Sequence, residues 1–236
     1  MTIQRLILEG QNDKHVIANL LEVLAIPDPV DYTTKDAFWN DFLKVERFEG
    51  GKNEALKMFK RALKEDSHNL GLIVDADESV ISTWNSIRNV LLNAGFLEEN
   101  LPNFPSPNGT ILNQIGKPKV GIWIMPDNIN PEPNTESHFY MEHFYEAIIA
   151  PNDPLLSRAV ISTQEVNDTI NHEMYDSRFK NVHFQKAKIH TWLAWIDEPG
   201  DSLGRTLKKQ SLFNFENNLL INFCDWYRNT FQLSKI

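Results

Sequence analysis

Short apolar runs that stop abruptly at acidic or turn residues set the pattern of this chain. Leu6-Ile7-Leu8 stops at Glu9-Gly10. Leu70-Gly71-Leu72-Ile73-Val74 stops at Asp75-Ala76-Asp77, and Val120 to Met125 stops at Pro126-Asp127-Asn128. Runs of this length, apolar on both alternating sets of positions, predict strands buried on both faces, as in a parallel sheet. A weaker run, Leu43 to Phe48, predicts another strand, followed by Gly50-Gly51.

Helical spacing fills the intervals. Val16, Ile17, Leu20, Leu21 and Leu24 share one face, with Asn12 or Asp13 as a natural cap and Pro27 and Pro29 closing the unit. Ala55, Leu56, Phe59, Ala62 and Leu63 form a second such face. Val80, Ile81, Trp84, Ile87 and Leu91 form a third, with Gly95 as its stop. Strands alternating with helices predict an α/β fold: a small four-stranded parallel sheet flanked by helices. Residues 98–118, rich in Pro, Asn and Gly, predict a functional loop or a small hairpin. A polar, proline-rich linker spans Ile129 to Glu136. Helical patterns follow over 137–149, 153–172, 185–197, 202–209 and 212–232, the last carrying Leu212, Phe215, Leu219, Phe223, Trp226 and Tyr227. The expected organisation is therefore an α/β domain over 1–130 with a helical C-terminal region, 131–236, packed on it.

Composition narrows the class. The chain has 236 residues, a formal charge of −9 and six Trp, which describes a folded globular protein that does not coat nucleic acid by bulk charge. One cysteine, Cys224, excludes an intramolecular disulfide and a cysteine-based zinc site; on the apolar side of its helix it is expected to be buried and inert. No apolar segment is long enough for a membrane span, and the amino terminus lacks the pattern of a signal peptide, so a cytoplasmic setting without membrane partners is expected.

The chemistry lies at the strand ends. Glu9, the Asp75/Asp77 pair and Asp127 all follow apolar runs, where open α/β sheets place their ligands. If the backbone stays extended, Asp75 and Asp77 point to the same rim. At ~4 Å and an effective dielectric of about 20, two such charges repel by on the order of 4 kcal/mol. A divalent cation, Mg2+ or Mn2+, relieves that repulsion with the oxygen ligands it prefers. The simpler alternative is a helix cap and a solvated acid.

The motif Ile7-Leu-Glu-Gly-Gln-Asn-Asp-Lys-His15 followed by Val74-Asp-Ala-Asp77 resembles the Toprim domain, the metal-binding catalytic fold of topoisomerases, bacterial primases and the overcoming-lysogenization-defect nucleases. Gly121 to Asn128, Lys186 to Trp195 and Glu198-Pro-Gly200 extend the resemblance to an uncharacterised, nuclease-like bacterial family of Toprim-related proteins. It implies a Toprim-like (Rossmann-like) sheet and a metal-dependent nuclease acting on DNA or RNA, in phage defence or DNA processing. It also implies that Glu9, Asp75 and Asp77 hold metal, with Glu142 contributing to a second ion. The narrower family pairs that Glu with a second acid; this chain has His143.

Phosphodiester hydrolysis also asks for a cation at the scissile phosphate, and Lys186 and Lys188 are the candidates. Between Arg178 and Lys209, seven basic residues stand against three acids, a segment of net +4 that is either a backbone-contacting face or a solvated helical surface. Asp13 is read as an orienting residue behind the ligands or as an N-cap. His183 and His190 are expected to be partly buried and structural, and Trp192 and Trp195 to belong to the core. No His-Glu-x-x-His pattern supports zinc. Two alternatives stay open: a non-catalytic Toprim-like module binding nucleic acid or protein, and a haloacid-dehalogenase-like phosphatase with Asp75 as nucleophile. A protein partner or homo-oligomer is compatible with either.

Overall fold

The computed structural model describes residues 3–26, 43–46, 51–64, 67–129, 140–170 and 183–233. Within them lie β1 (Ile3–Leu8), α1 (Gln11–Val23), β2 (Leu43–Glu46), α2 (Lys52–Ala62), β3 (Ser67–Asp75) and α3 (Val80–Asn93). These are followed by β4 (Thr110–Leu112), β5 (Lys119–Met125), α4 (Met141–Ala147), α5 (Pro154–Glu165), α6 (Phe184–Trp195), α7 (Leu203–Thr206) and α8 (Asn218–Phe231). The strands form one sheet in the order β2-β1-β3-β5-β4. The pairs β1/β2, β1/β3 and β3/β5 are parallel, and β4 runs antiparallel to β5. The sheet is thus mixed and mostly parallel, with five strands where four parallel ones were expected. The extra strand comes from the loop at 98–118, which turns back on β5 as a hairpin.

Alternation along the strands builds two cores. Ile7, Leu70, Leu72, Val74, Val120, Ile122 and Ile124 face α2 and α3. Leu6, Leu8, Ile73, Trp123 and Met125 face the other way, against α1, α4, α6 and α8. The helical C-terminal part therefore covers one face of the sheet, with Trp123 meeting Phe223 edge-on at 5.2 Å between ring centres. Gly71 and Gly121 are register partners on that face. A Cβ on Gly121 would lie 2.0 Å from Thr230 Oγ1, so the glycine pair is what lets α8 lie close to the strands.

Several boundaries differ from the sequence reading, each for a local reason. α1 is capped by Gly10, not by Asn12 or Asp13; Asp13 sits in the first turn, and its Oδ2 accepts the Gly10 N–H at 2.9 Å. The last helix starts at Asn218, because Asn217 takes the Leu219 N–H, and Phe213 is extended in a bridge to Ile149. Ser79 caps α3 and Asp153 caps α5 through side-chain oxygens. Cys224 is buried, and burial pushes its thiol up to about 11. Pro27, Pro29, Arg47, Phe48, Gly50, most of the 129–136 linker, Arg178 and Lys180 lie outside the described residues. Among the described residues no helix is long and apolar enough to cross a membrane.

Candidate metal centre

The strand order places β2 and β3 on opposite sides of β1. The chain therefore reverses direction across the sheet between β1 and β3, and the crevice beyond their carboxyl ends is the standard ligand position in open α/β sheets. Glu9 and Asp75 stand there. Glu9 Oε2 accepts the backbone N–H of Asp75 at 3.1 Å. Asp75 Oδ1 accepts the Met141 N–H at 2.9 Å, which ties the amino end of α4 to the end of β3.

Four acids from four elements share this place. Burial pushes the Asp75 carboxyl well above the usual carboxylate range, and Asp13, Glu9 and Glu142 add to the push while Lys186 opposes it. Asp13 is also raised, first by burial and then by Glu142, with its bond from Gly10 and the charge of Lys186 opposing. Glu9 rises by burial and by the nearness of Asp77 and Asp13, against the Asp75 N–H and Lys52. Glu142 is buried at the start of α4. The negative charge here exceeds what the neighbouring lysines offset.

Asp77 departs from expectation. Its backbone is left-handed, with φ +54°, so the chain does not stay extended through the pair, yet Asp77 stays near enough to act on Glu9 and Tyr140. Its Oδ2 pairs with Lys52 Nζ at 2.6 Å, and the same ammonium donates to Thr83 Oγ1 at 3.0 Å. Thr83 in turn donates to the Ala76 carbonyl at 3.0 Å, fixing the turn from behind. Lys52 follows Gly51, whose φ of +71° admits glycine without strain and whose missing Cβ would stand 3.5 Å from Glu9 Oε1. The sequence pattern places Gly50-Gly51 after a predicted strand and does not single out Lys52.

Lys186 reaches the cluster. Its Nζ lies 4.5 Å from the centre of the Tyr140 ring, and its charge acts on both Asp13 and Asp75. Tyr140, which the sequence reading passed over, is raised by burial and by Asp77, Asp75, Glu142 and Glu78, so its phenol borders the same acids. Lys188 does not join them; it is buried and pairs with Glu146 at 2.7 Å. Asp127 is raised by burial, its Oδ1 accepts the Ile129 N–H at 3.0 Å, and His143, next to Glu142 on α4, acts on it.

Among the described residues of the basic segment, three cations besides Lys188 are engaged in ion pairs. Lys209 pairs with Asp197 at 2.6 Å and with Glu198 and Asp201 at 3.4 Å, Arg205 with Asp201 at 3.3 Å, and Lys208 with Glu22 at 3.5 Å. His183 and His190 are exposed rather than partly buried. Trp192 is core, while Trp195 is 40 % exposed.

Glu9, Asp13, Asp75 and Glu142 offer only hard oxygen donors, which suits Mg2+ or Mn2+. Asp75 Oδ2 and Glu9 Oε1 take no hydrogen bond among the described residues. Among those residues no three carboxylate or imidazole side chains are drawn close enough to cage an ion. The fit is therefore one of donor chemistry and uncompensated charge. Two clefts lie away from the acids: one of about 550 Å³ between the 100–112 loop and α8, and one of about 320 Å³ between α1, α6 and the 200–204 turn. No curated protein and no solved structure matches the chain significantly. A family described as "Protein of unknown function (DUF3226)" matches residues 3–232, nearly the whole chain, and the chain belongs to that family.

Proposed function

We propose that this protein is a divalent-metal-dependent nuclease with a Toprim-like fold, hydrolysing phosphodiester bonds in DNA or RNA. The observation that carries the reading is the gathering of Glu9, Asp13, Asp75 and Glu142 at the β1/β3 crevice with Lys186 as the nearby cation. A bound Mg2+ or Mn2+ would activate water and offset charge on the phosphoryl oxygens. The chain's own part is to hold the carboxylates. Glu9 is fixed by the Asp75 N–H, Asp75 by the Met141 N–H, and Asp13 by the Gly10 N–H. Lys186 is placed to meet a phosphate oxygen beside them. Lys52 holds Asp77 and steadies the turn after β3.

A phosphatase with Asp75 as nucleophile fits less well, because the Asp75 carboxylate already accepts a backbone N–H and is crowded by three other acids. A non-catalytic module is the second reading, favoured by His143 in place of a second acid beside Glu142 and by the lack, among the described residues, of three side chains close enough to cage an ion. The deciding experiment combines calorimetric titration with Mn2+ and incubation with labelled DNA and RNA in Mg2+, Mn2+ and chelator, beside Asp75→Asn. Metal uptake and cleavage, both lost in the variant, are expected. Cleavage that persists in chelator, or at wild-type rate in the variant, overturns the reading.

A further inference from the structure

Lys186 stands beside Asp13 and Asp75, yet its ammonium makes no ion pair among the described residues. Its partner there is the face of the Tyr140 ring, with Nζ 4.5 Å from the ring centre. An ammonium free to move among several carboxylates closes onto one of them, because opposite full charges in a partly buried place attract more strongly than a cation and a ring. Something holds this one back.

Both ends of the contact are pinned to the segment that carries the acids. Tyr140 is the N-cap of α4, and its backbone N–H donates to His143 Nδ1 at 3.2 Å. The next N–H, of Met141, goes to Asp75 Oδ1 at 2.9 Å, and the Tyr140 side chain is buried. The ring is therefore held at a set place relative to Asp75. α6 is tied to the same helix one residue before Lys186. Gln185 Nε2 donates to the Glu142 carbonyl at 3.2 Å and to a Glu146 carboxylate oxygen, and Lys188 pairs with Glu146 at 2.7 Å. The Lys186 stem thus leaves α6 at a fixed separation from α4, and its head ends over the ring.

We infer that Tyr140 is a positioning residue: its ring face seats the Lys186 ammonium apart from the carboxylates and keeps that charge for a phosphate oxygen of the substrate. The use of the charge on a phosphate rests on the nuclease reading; the seat on the ring does not. A ring face suits the task because it attracts a cation without neutralising it, and the ammonium keeps its N–H donors for an incoming anion. Without the ring the ammonium falls onto Asp13 or Asp75. There it competes with a divalent ion and no longer meets the substrate.

The first measurement needs neither metal nor activity. The full chain with isotope-labelled lysine is read by NMR in chelator, and the Lys186 signal is assigned by its loss in Lys186→Met. Ring current should move the methylene protons beside Nζ upfield of those of the other lysines, in Tyr140→Phe as in the wild type but not in Tyr140→Leu. Mn2+ calorimetry and cleavage of labelled DNA and RNA follow. They include a trifluorinated phenylalanine in place of Tyr140, which has nearly the shape of Phe but an electron-poor face, so the comparison stands even if the Leu variant does not fold. Tyr140→Phe should stay within about threefold of wild type, while the fluorinated ring and Leu each lose about tenfold in cleavage and Leu weakens Mn2+ uptake. In the Lys186→Met background the same changes should make no further difference. An unshifted Lys186 signal, equal behaviour of the Phe and fluorinated rings, or a Tyr140 effect that persists without Lys186 overturns the inference. A shifted signal that follows the ring, in protein that neither takes up Mn2+ nor cuts, supports the seat and sinks the nuclease reading alone.

Discussion

Glu9 and Asp75, sixty-six residues apart in the chain, are joined by a hydrogen bond of 3.1 Å from the Asp75 backbone N–H to Glu9 Oε2. The bond crosses from the end of β1 to the end of β3 and holds one carboxylate against the backbone of the next. It determines which acid is central. Asp75 lies among Glu9, Asp13 and Glu142, whereas Asp77, on the Glu9 side, is paired with Lys52.

Metal uptake should therefore depend on Asp75 more than on Asp77. Asn at 75 keeps an oxygen for the Met141 N–H, and Asn at 77 tolerates the left-handed backbone, so both variants are expected to fold. In Mn2+ calorimetry Asp75→Asn should weaken binding by about tenfold or more and Asp77→Asn by only a few-fold. Equal losses would mean that the Lys52 pair opens when metal binds.

Without metal, the cluster should destabilise the protein at neutral pH. The folded-state values of Glu9, Asp13 and Asp75 are raised, so their contribution is fully present below the unfolded values near ~4 and is lost as pH rises through the folded ones. Thermal melts in chelator should show the midpoint falling as pH climbs above that range, and Mn2+ should restore more stability at pH ~7.5 than at pH ~5. Asp75→Asn should flatten the profile and raise the metal-free stability by about 0.5–2 kcal/mol, roughly 2–4 °C per kcal/mol for a chain of this size. A melting point independent of pH and metal contradicts this.

Lys186 and Lys208 lie in the same basic segment and should behave differently. Lys186 stands beside the acids, and Lys208 pairs with Glu22 on the surface. Lys186→Met should lower cleavage by about a hundredfold and shift Mn2+ uptake to higher pH, since the carboxyls lose the cation that holds them down. Lys208→Ala should stay within about twofold, as surface ion pairs contribute little. Parallel losses would reduce Lys186 to bulk charge.

The close seat of α8 gives a stability test independent of activity. A Cβ on Gly121 meets Thr230 Oγ1, Cγ2 and Cβ at 2.0, 2.6 and 2.8 Å, while one on Gly71 meets only the ends of Leu6 and Phe231 side chains at 2.8 Å. Overpacking costs typically about 1–3 kcal/mol. Gly121→Ala should fall at or above the top of that range and Gly71→Ala below it, measured by urea unfolding. The reverse order would mean that α8 shifts more freely than the Phe231 ring.

What the sequence by itself determined is the layered architecture. Apolar runs such as Val120 to Met125 and one-sided patterns such as Val16, Ile17, Leu20 and Leu21 are local, periodic signals, and burial follows from them. It also marked Glu9 and Asp75, because a strand end is visible as the point where apolar residues stop. Only the tertiary structure decided the rest. A left-handed backbone at Asp77 breaks the two-residue alternation, and its carboxylate pairs with Lys52 beside Glu9. Lys52, Tyr140 and Asp13 join the site through the ends of helices whose angles no periodicity encodes, and Lys188 leaves it because Glu146 lies one helix away. Charges act through space at distances set by packing, and packing is a property of the assembled chain.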